Sequence, residues 1–122
     1  MGKEVFVGHE DCVFCQIIEK RMTSDIIHED KELIAFHDIN PQAPSHILIV
    51  PKKHIQSLTR ITDEDSHLLG KMLEVAKKIA IEENLDKKGF RIALNEGKDG
   101  GQTIYHIHMH LLAGRHLMWP PG

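Results

Sequence analysis

Apolar residues recur along this chain at two periods, and the switches between them mark out the elements. Leu69, Met72, Leu73, Ala76, Ile79 and Ala80 return every three or four residues, which is the spacing of an amphipathic helix. The helix is predicted from Asp63 to Glu83, with Thr62 as N-cap and Asp63, Glu64 and Asp65 in a first turn that favours negative charge. A shorter helix over 12–20 follows from Asp11 as N-cap and the spacing of Val13, Phe14, Ile17 and Ile18. Elsewhere the pattern is strand-like. Ile26–His28 and Glu32–His37 read as a hairpin around Glu29-Asp30-Lys31, and His46–Val50 is a strand ended by Pro51. Phe90–Asn95 and Ile104–Leu112 are strands flanking the loop Glu96–Thr103. Pro41 and Pro44 make 38–45 a loop, because proline gives no donor to a ladder. Residues 1–10 read as a loose leader and 113–122 as an irregular tail. Most links between strands are too short for parallel crossovers, so the expected class is α+β with an antiparallel sheet.

The candidate chemistry lies in Tyr105–Leu112, where His106, His108 and His110 occupy every second position. On a strand the three imidazoles share one face while Ile107, Met109 and Leu111 pack on the other. Side chains two residues apart are roughly 6.5 Å from one another, near enough to engage one small group together, and packing gives no reason for three such rings on an open face. His9, His28, His67 and His116 stand alone and read as ordinary structural histidines. Three imidazoles suit either metal ligation or nucleophilic attack with proton handling alongside. The preceding loop favours phosphorus chemistry. Gly97, Gly100 and Gly101 would free backbone N–H groups to face an anion, and Gln102 and Thr103 would add side-chain donors.

Composition narrows the class. A chain of 122 residues, 41% hydrophobic, with formal charge −3, is expected to be one domain with a real core. Lys52-Lys53, Lys77-Lys78 and Lys87-Lys88 are isolated pairs, which argues against a nucleic-acid surface. The first twenty residues mix Lys3, Glu4, His9, Glu10 and Asp11 among apolar ones, so neither a signal core nor a spanning helix is expected, and the cytoplasm is the expected compartment. Cys12 and Cys15 are too few for a disulfide framework. At a helix start the pair suits zinc if two further ligands close a tetrahedron, with buried free thiols or a redox pair as the alternatives.

Together these residues resemble the histidine triad (HIT) family, and within it the Hint branch. The segment His106–Leu112 follows the family pattern of three histidines separated by apolar residues. The resemblance extends to Phe36-His37-Asp38-Ile39, Pro41-Gln42-Ala43-Pro44-Ser45-His46, Pro51-Lys52-Lys53-His54, Gly100-Gly101-Gln102 and Trp119-Pro120-Pro121-Gly122. It implies a single domain over 11–122 built on a five-stranded antiparallel sheet with two helices. It further implies a homodimer with a continuous ten-stranded sheet, and hydrolysis of purine nucleoside 5′-phosphoramidates. By matching positions, His108 would be the nucleophile that becomes nucleotidylated, with His110 contacting phosphate and His106 completing the triad. Thr103, a serine in many relatives, would position the leaving amine or relay a proton, and Asn95, Gly101, Gln102 and Thr103 would hold phosphate oxygens. Asp38 would accept ribose hydroxyls, Phe14, Ile17, Ile27 and Ile39 would form a slot for the base, and Trp119 would reach the partner's site. The resemblance also implies a structural zinc on Cys12, Cys15, His46 and His106 that catalysis does not require.

Two other functions fit the same residues. One is a metal-dependent hydrolase using all three histidines as ligands, although no acidic residue stands in the motif to act as base. The other is a nucleotide-binding adaptor with little catalysis. Within the family, histidine at 110, where the transferase branch has glutamine, favours hydrolysis over transfer. The short chain and its Trp-Pro-Pro-Gly end favour Hint over the dinucleoside-polyphosphate hydrolases.

Overall fold

The structure is a computed structural model that describes residues 12–122. The leader expected at 1–10 and the Asp11 cap lie outside the described residues. Helix α1 spans Val13–Ile18, and Cys12 holds its N-cap position, its Sγ accepting the Cys15 N–H at 3.3 Å. Strands β1 (Ile26–Glu29) and β2 (Leu33–His37) form the expected hairpin. Asp30 closes its turn, one carboxylate oxygen accepting the Glu32 and Leu33 N–H groups at 2.8 and 2.9 Å. Strand β3 spans Ser45–Pro51, helix α2 His67–Glu82, β4 Phe90–Ala93, a single helical turn α3 Gly97–Gly100, and β5 Met109–Ala113. The strands lie in the order β1-β2-β3-β5-β4 with every pairing antiparallel. The α+β class is therefore the observed one.

The sheet separates two apolar layers. On one face Leu33, Ala35, Ile47, Ile49, Ile107, Met109 and Leu111 pack with Leu68, Met72, Val75, Ala76 and Ile79 of α2. On the other, Ile34, Phe36, Leu48 and Val50 pack with Cys12, Phe14, Cys15 and Ile17. Because β3 is buried on both faces, each of its apolar side chains contributes about 1.5–3 kcal/mol of burial. A β-bulge at Ile27 places Ile26 on the α1 side and Ile27 on the α2 side. Gly114, just past β5, has φ of 100° and abuts Pro44, where a Cβ would come within 2.7 Å of the proline Cβ. Glycine is required there on both counts.

Three boundaries differ from the periodic reading. Helix α2 starts later, because Asp63–Asp65 form a separate 3₁₀ turn and the Thr62 side chain makes no capping bond. The glycine loop is wound into α3 and stopped by Gly101 at φ 85°. Strand β5 begins at Met109 rather than Ile104, although its residues keep their alternation across the sheet. Proline supplies the reason. The β3–β5 register ends at Ile49↔Met109, and two residues further along β3 Pro51 has no N–H to extend the ladder. The Pro51 carbonyl is instead bonded by His106 Nε2 at 2.8 Å, while the Ile107 N–H turns to Ile55 O at 2.7 Å. Among the described residues no helix is long and apolar enough to cross a membrane.

Candidate active site

The three triad histidines share the α1 face, as their spacing predicts, but that face is covered rather than open. His106 is fully buried and His108 is 8% exposed. Phe14 sets its ring edge-on to both, with centroids 5.9 and 5.0 Å away. The three rings have different partners, so they do not form a common ligand set, and the all-histidine metal site expected for a metal-dependent hydrolase is not built.

Hydrogen bonds fix where each ring keeps its proton. His108 Nδ1 lies 2.8 Å from the His106 carbonyl, which only accepts, so Nδ1 holds the hydrogen and Nε2 carries the lone pair. Burial holds the ring below the usual imidazole pKa, with the His106 carbonyl and Asp38 opposing and His46 reinforcing the shift. His46 sits at the start of β3, nearly buried, and its Nδ1 accepts the Gln42 N–H at 3.0 Å. Its hydrogen therefore lies on Nε2, which donates to His110 Nδ1 at 2.8 Å. His110 in turn keeps its hydrogen on Nε2. That atom is the one buried side-chain nitrogen or oxygen without a partner among the described residues. Burial, then the neighbouring His108 and His46, pushes the His110 pKa down to about 4, so the ring is a neutral donor near pH 7. A nitrogen carrying a lone pair and an unanswered N–H thus lie on rings 5.0 Å apart.

The outer residues divide. Asp38 joins the site, one carboxylate oxygen accepting the Asn40 N–H at 2.8 Å and the other 3.5 Å from His46 Nε2. Ile39 beside it is 95% exposed, so it packs no core. Phe14 and Ile17 are buried under α1 on the histidine side. Ile27 is a correction: the bulge turns it to the opposite face, against the α2 layer, and it cannot line a slot with Phe14. Asn95 lies two residues past Ala93, the β4 partner of His110. Gln102 is a second correction. Its amide donates to the Gln56 and Ile104 carbonyls, its side-chain oxygen accepts the Gly97 N–H, and its own N–H goes to Gly97 O. The Gly101 N–H is likewise spent on Lys98 O. These groups brace the loop and do not face an anion, whereas Thr103 is exposed. Trp119 is 79% exposed, with the Arg91 guanidinium 6.0 Å from its ring, so it does not plug its own subunit.

Sulfur and nitrogen ligands converge elsewhere than expected. Cys12, Cys15, His54 and His106 bring four donor atoms within 4.8 Å of one another. His106 commits Nε2 to the Pro51 carbonyl and aims Nδ1 at Cys12 Sγ and Cys15 Sγ, 3.3 and 3.6 Å away. His54 Nδ1 is 3.3 Å from Cys15 Sγ. These spacings suit a tetrahedral zinc, whose Zn–S and Zn–N bonds are about 2.3 and 2.1 Å. Burial, followed by the Cys12 sulfur, raises the Cys15 thiol well above its ordinary pKa, a cost that a bound dication would reverse. The expected ligand His46 is a correction. It lies at the far end of β3 and is bonded to His110, and His54 takes the fourth place. The missed signal was local: His54 follows the same Pro51 whose carbonyl orients His106.

Comparison with known proteins identifies the family. Residues 11–119 match the family described as scavenger mRNA decapping enzyme C-term binding. An uncharacterized HIT-like protein of Synechococcus elongatus is 49% identical over 113 residues, spanning 93% of this chain and 98% of that protein. The crystal structure of a HIT family hydrolase from Legionella pneumophila superposes with TM-score 0.88 at 48% identity, covering 92% of this chain and all of that one. A histidine triad protein from Clostridium difficile gives TM-score 0.85 at 45% identity, over 88% and 94% of the two chains. With the family match over 11–119 and the fold and nearly the whole length in common with these proteins, the chain belongs to the histidine triad (HIT) family.

Proposed function

We propose that this protein, as a member of the Hint branch, hydrolyses purine nucleoside 5′-phosphoramidates of the AMP or GMP type through a covalent nucleotidyl-His108 intermediate. The observation that carries the reading is the pairing of His108 Nε2, left with a lone pair by the Nδ1 bond to His106 O, with the unpartnered Nε2–H of His110. Hydrolase chemistry is also supported by the similarity to the Legionella protein.

In this reading His108 Nε2 attacks the α-phosphorus, and the bond from phosphorus to the amine nitrogen breaks as the new N–P bond forms. The positive charge developing on the ring is stabilised by the Nδ1–H bond to the His106 carbonyl. His110 Nε2–H donates to a phosphoryl oxygen, placing a fixed dipole where negative charge gathers. The leaving nitrogen departs as a neutral amine, taking a proton from solvent through the Thr103 hydroxyl, a contribution of about 10²- to 10⁴-fold for a well-placed acid. Water then cleaves the N–P bond, releasing the nucleoside monophosphate and restoring His108. Asp38 accepts the ribose hydroxyls, Asn95 assists at the phosphate, and the base lies against Phe14, Ile17 and Ile39. Comparing wild type with His108→Asn on a fluorogenic adenosine phosphoramidate tests the reading. Turnover is expected only from the wild type, and a His108→Asn variant of undiminished kcat/KM would refute it.

Cys12, Cys15, His54 and His106 would hold a zinc ion whose contribution is to pin α1 against the segments carrying His54 and His106. The homodimer would use surface that the single chain leaves open: the free edge of β4 with Phe90, and Leu73 and Ile81 two turns apart on α2, 40%, 49% and 55% exposed. An exposed Trp119 would then be available to the partner's site and to its substrate preference.

A further inference from the structure

At the end of β5 away from the triad, a recess of about 700 Å³ is walled by Lys88, Gly89, Phe90, Arg91, Gly114, Arg115, His116 and Leu117. Lys88, Arg91, Arg115 and His116 are its ionisable residues, and no carboxylate stands in the wall. Elsewhere the described lysines and arginines are repeatedly tied to acids: Lys20 and Lys52 to Glu29, Lys53 to Asp65, Lys71 to Glu32 and Lys77 to Glu74. Among the described residues, none of Lys88, Arg91 and Arg115 has such a partner.

The two guanidiniums are held in place by neutral acceptors. One Arg91 terminal nitrogen donates to the Leu117 and Met118 carbonyls at 3.2 and 2.9 Å. Arg115 Nε donates to Gln42 O at 3.0 Å and another of its nitrogens to His116 O at 3.2 Å. Carbonyls orient a guanidinium without cancelling its charge, and each arginine keeps N–H groups beyond those engaged. The ordering cost of gathering these cations is met in the fold, which is the preorganisation an anion site requires. Guanidinium forks match phosphate oxygens in geometry as well as charge.

We propose that this recess binds the phosphate groups of a short polyphosphate chain, inorganic or carried by a nucleotide, at a site separate from the triad. None of the triad histidines lines the recess, and Gly114 follows His110 by four positions, about 13 Å of extended chain. The proposal does not depend on the phosphoramidase reading, and a failure of one leaves the other standing.

The test is a titration of isotopically labelled protein with sodium tripolyphosphate and, separately, with ATP, followed by amide resonances. Tripolyphosphate is expected to shift residues 88–91 and 114–117, with binding weakened at least tenfold in Lys88→Glu and falling as salt is raised. Arg115→Glu should weaken it as much, but because Arg115 also holds Gln42 O, the exposed Lys88 is the decisive variant. Equal affinity for ATP and tripolyphosphate identifies the chain alone as the ligand, and tighter ATP binding at these residues identifies a nucleotide tail. Shifts confined to residues 106–110, no shift at millimolar ligand, or unchanged affinity in Lys88→Glu would overturn the proposal.

Discussion

His110 is the residue whose surroundings most constrain the chemistry, because its proton is placed by a partner on another strand. Gln42 fixes the His46 tautomer, and His46 fixes that of His110. A free imidazole titrates at 6.5, whereas burial and the adjoining rings of His108 and His46 lower His110 to about 4. The unfolded chain therefore binds a proton between these values that the folded chain refuses. The stability this ring contributes is intact above pH 6.5 and is lost as pH falls towards 4. In urea unfolding across that window, His110→Gln should show a shallower fall in stability than wild type, by up to about 1 kcal/mol per pH unit, less whatever solvent screening removes. Identical slopes would contradict the assignment. The importance of this residue was legible in its spacing, since alternation alone placed 106, 108 and 110 on one face. Its tautomer was not, because that depends on a ring from β3 and an amide from the loop before it. The same gap explains His46. Sequence spacing gave it no partner, and only the register His46↔Leu112 brings it beside His110.

Among the elements, α1 shows how a cap and a candidate metal ligand become one feature. Cys12 caps the start of the helix by accepting the Cys15 N–H, and both sulfurs then face the His106 ring. The Cys-x-x-Cys pair and the nearby helix start were readable in advance. The remaining ligand was not, because His54 comes from an irregular segment with no period of its own. Purified under reducing conditions, wild type should carry about one zinc per chain. His46→Asn should retain it, and Cys15→Ser should lose it with a lower melting temperature. Metal-free wild type, or loss of metal in His46→Asn, would contradict the four-ligand cluster. Local periodicity also missed the start of β5 and the side taken by Ile27. A proline on the neighbouring strand shortened the first, and a bulge redirected the second. Both depend on pairing, which a single strand's sequence does not contain.

Taken as a whole molecule, the chain sets its triad histidines on the α1 face of the sheet and leaves apolar surface at one sheet edge. β4 pairs only with β5, while Phe90, Leu73 and Ile81 remain in water. Joining two such edges is the expected use of this surface. Sedimentation equilibrium at micromolar concentration should give a dimer that a Leu73→Glu/Ile81→Glu variant weakens, and a monomeric wild type would remove the ten-stranded sheet from the account. The sequence disclosed the order and type of most elements and the identity of the reacting strand. The two hydrogen-bond systems that set His106 beside the cysteines and His46 beside His110 required the assembled sheet. The central claim is that the His108 Nε2 lone pair forms a bond to phosphorus, and rapid acid quenching with an adenosine phosphoramidate, followed by peptide mass mapping, reads that bond directly. The account predicts one adenylyl group on His108 in wild type and none in His108→Asn; turnover without a labelled histidine, or a label on another residue, would contradict it.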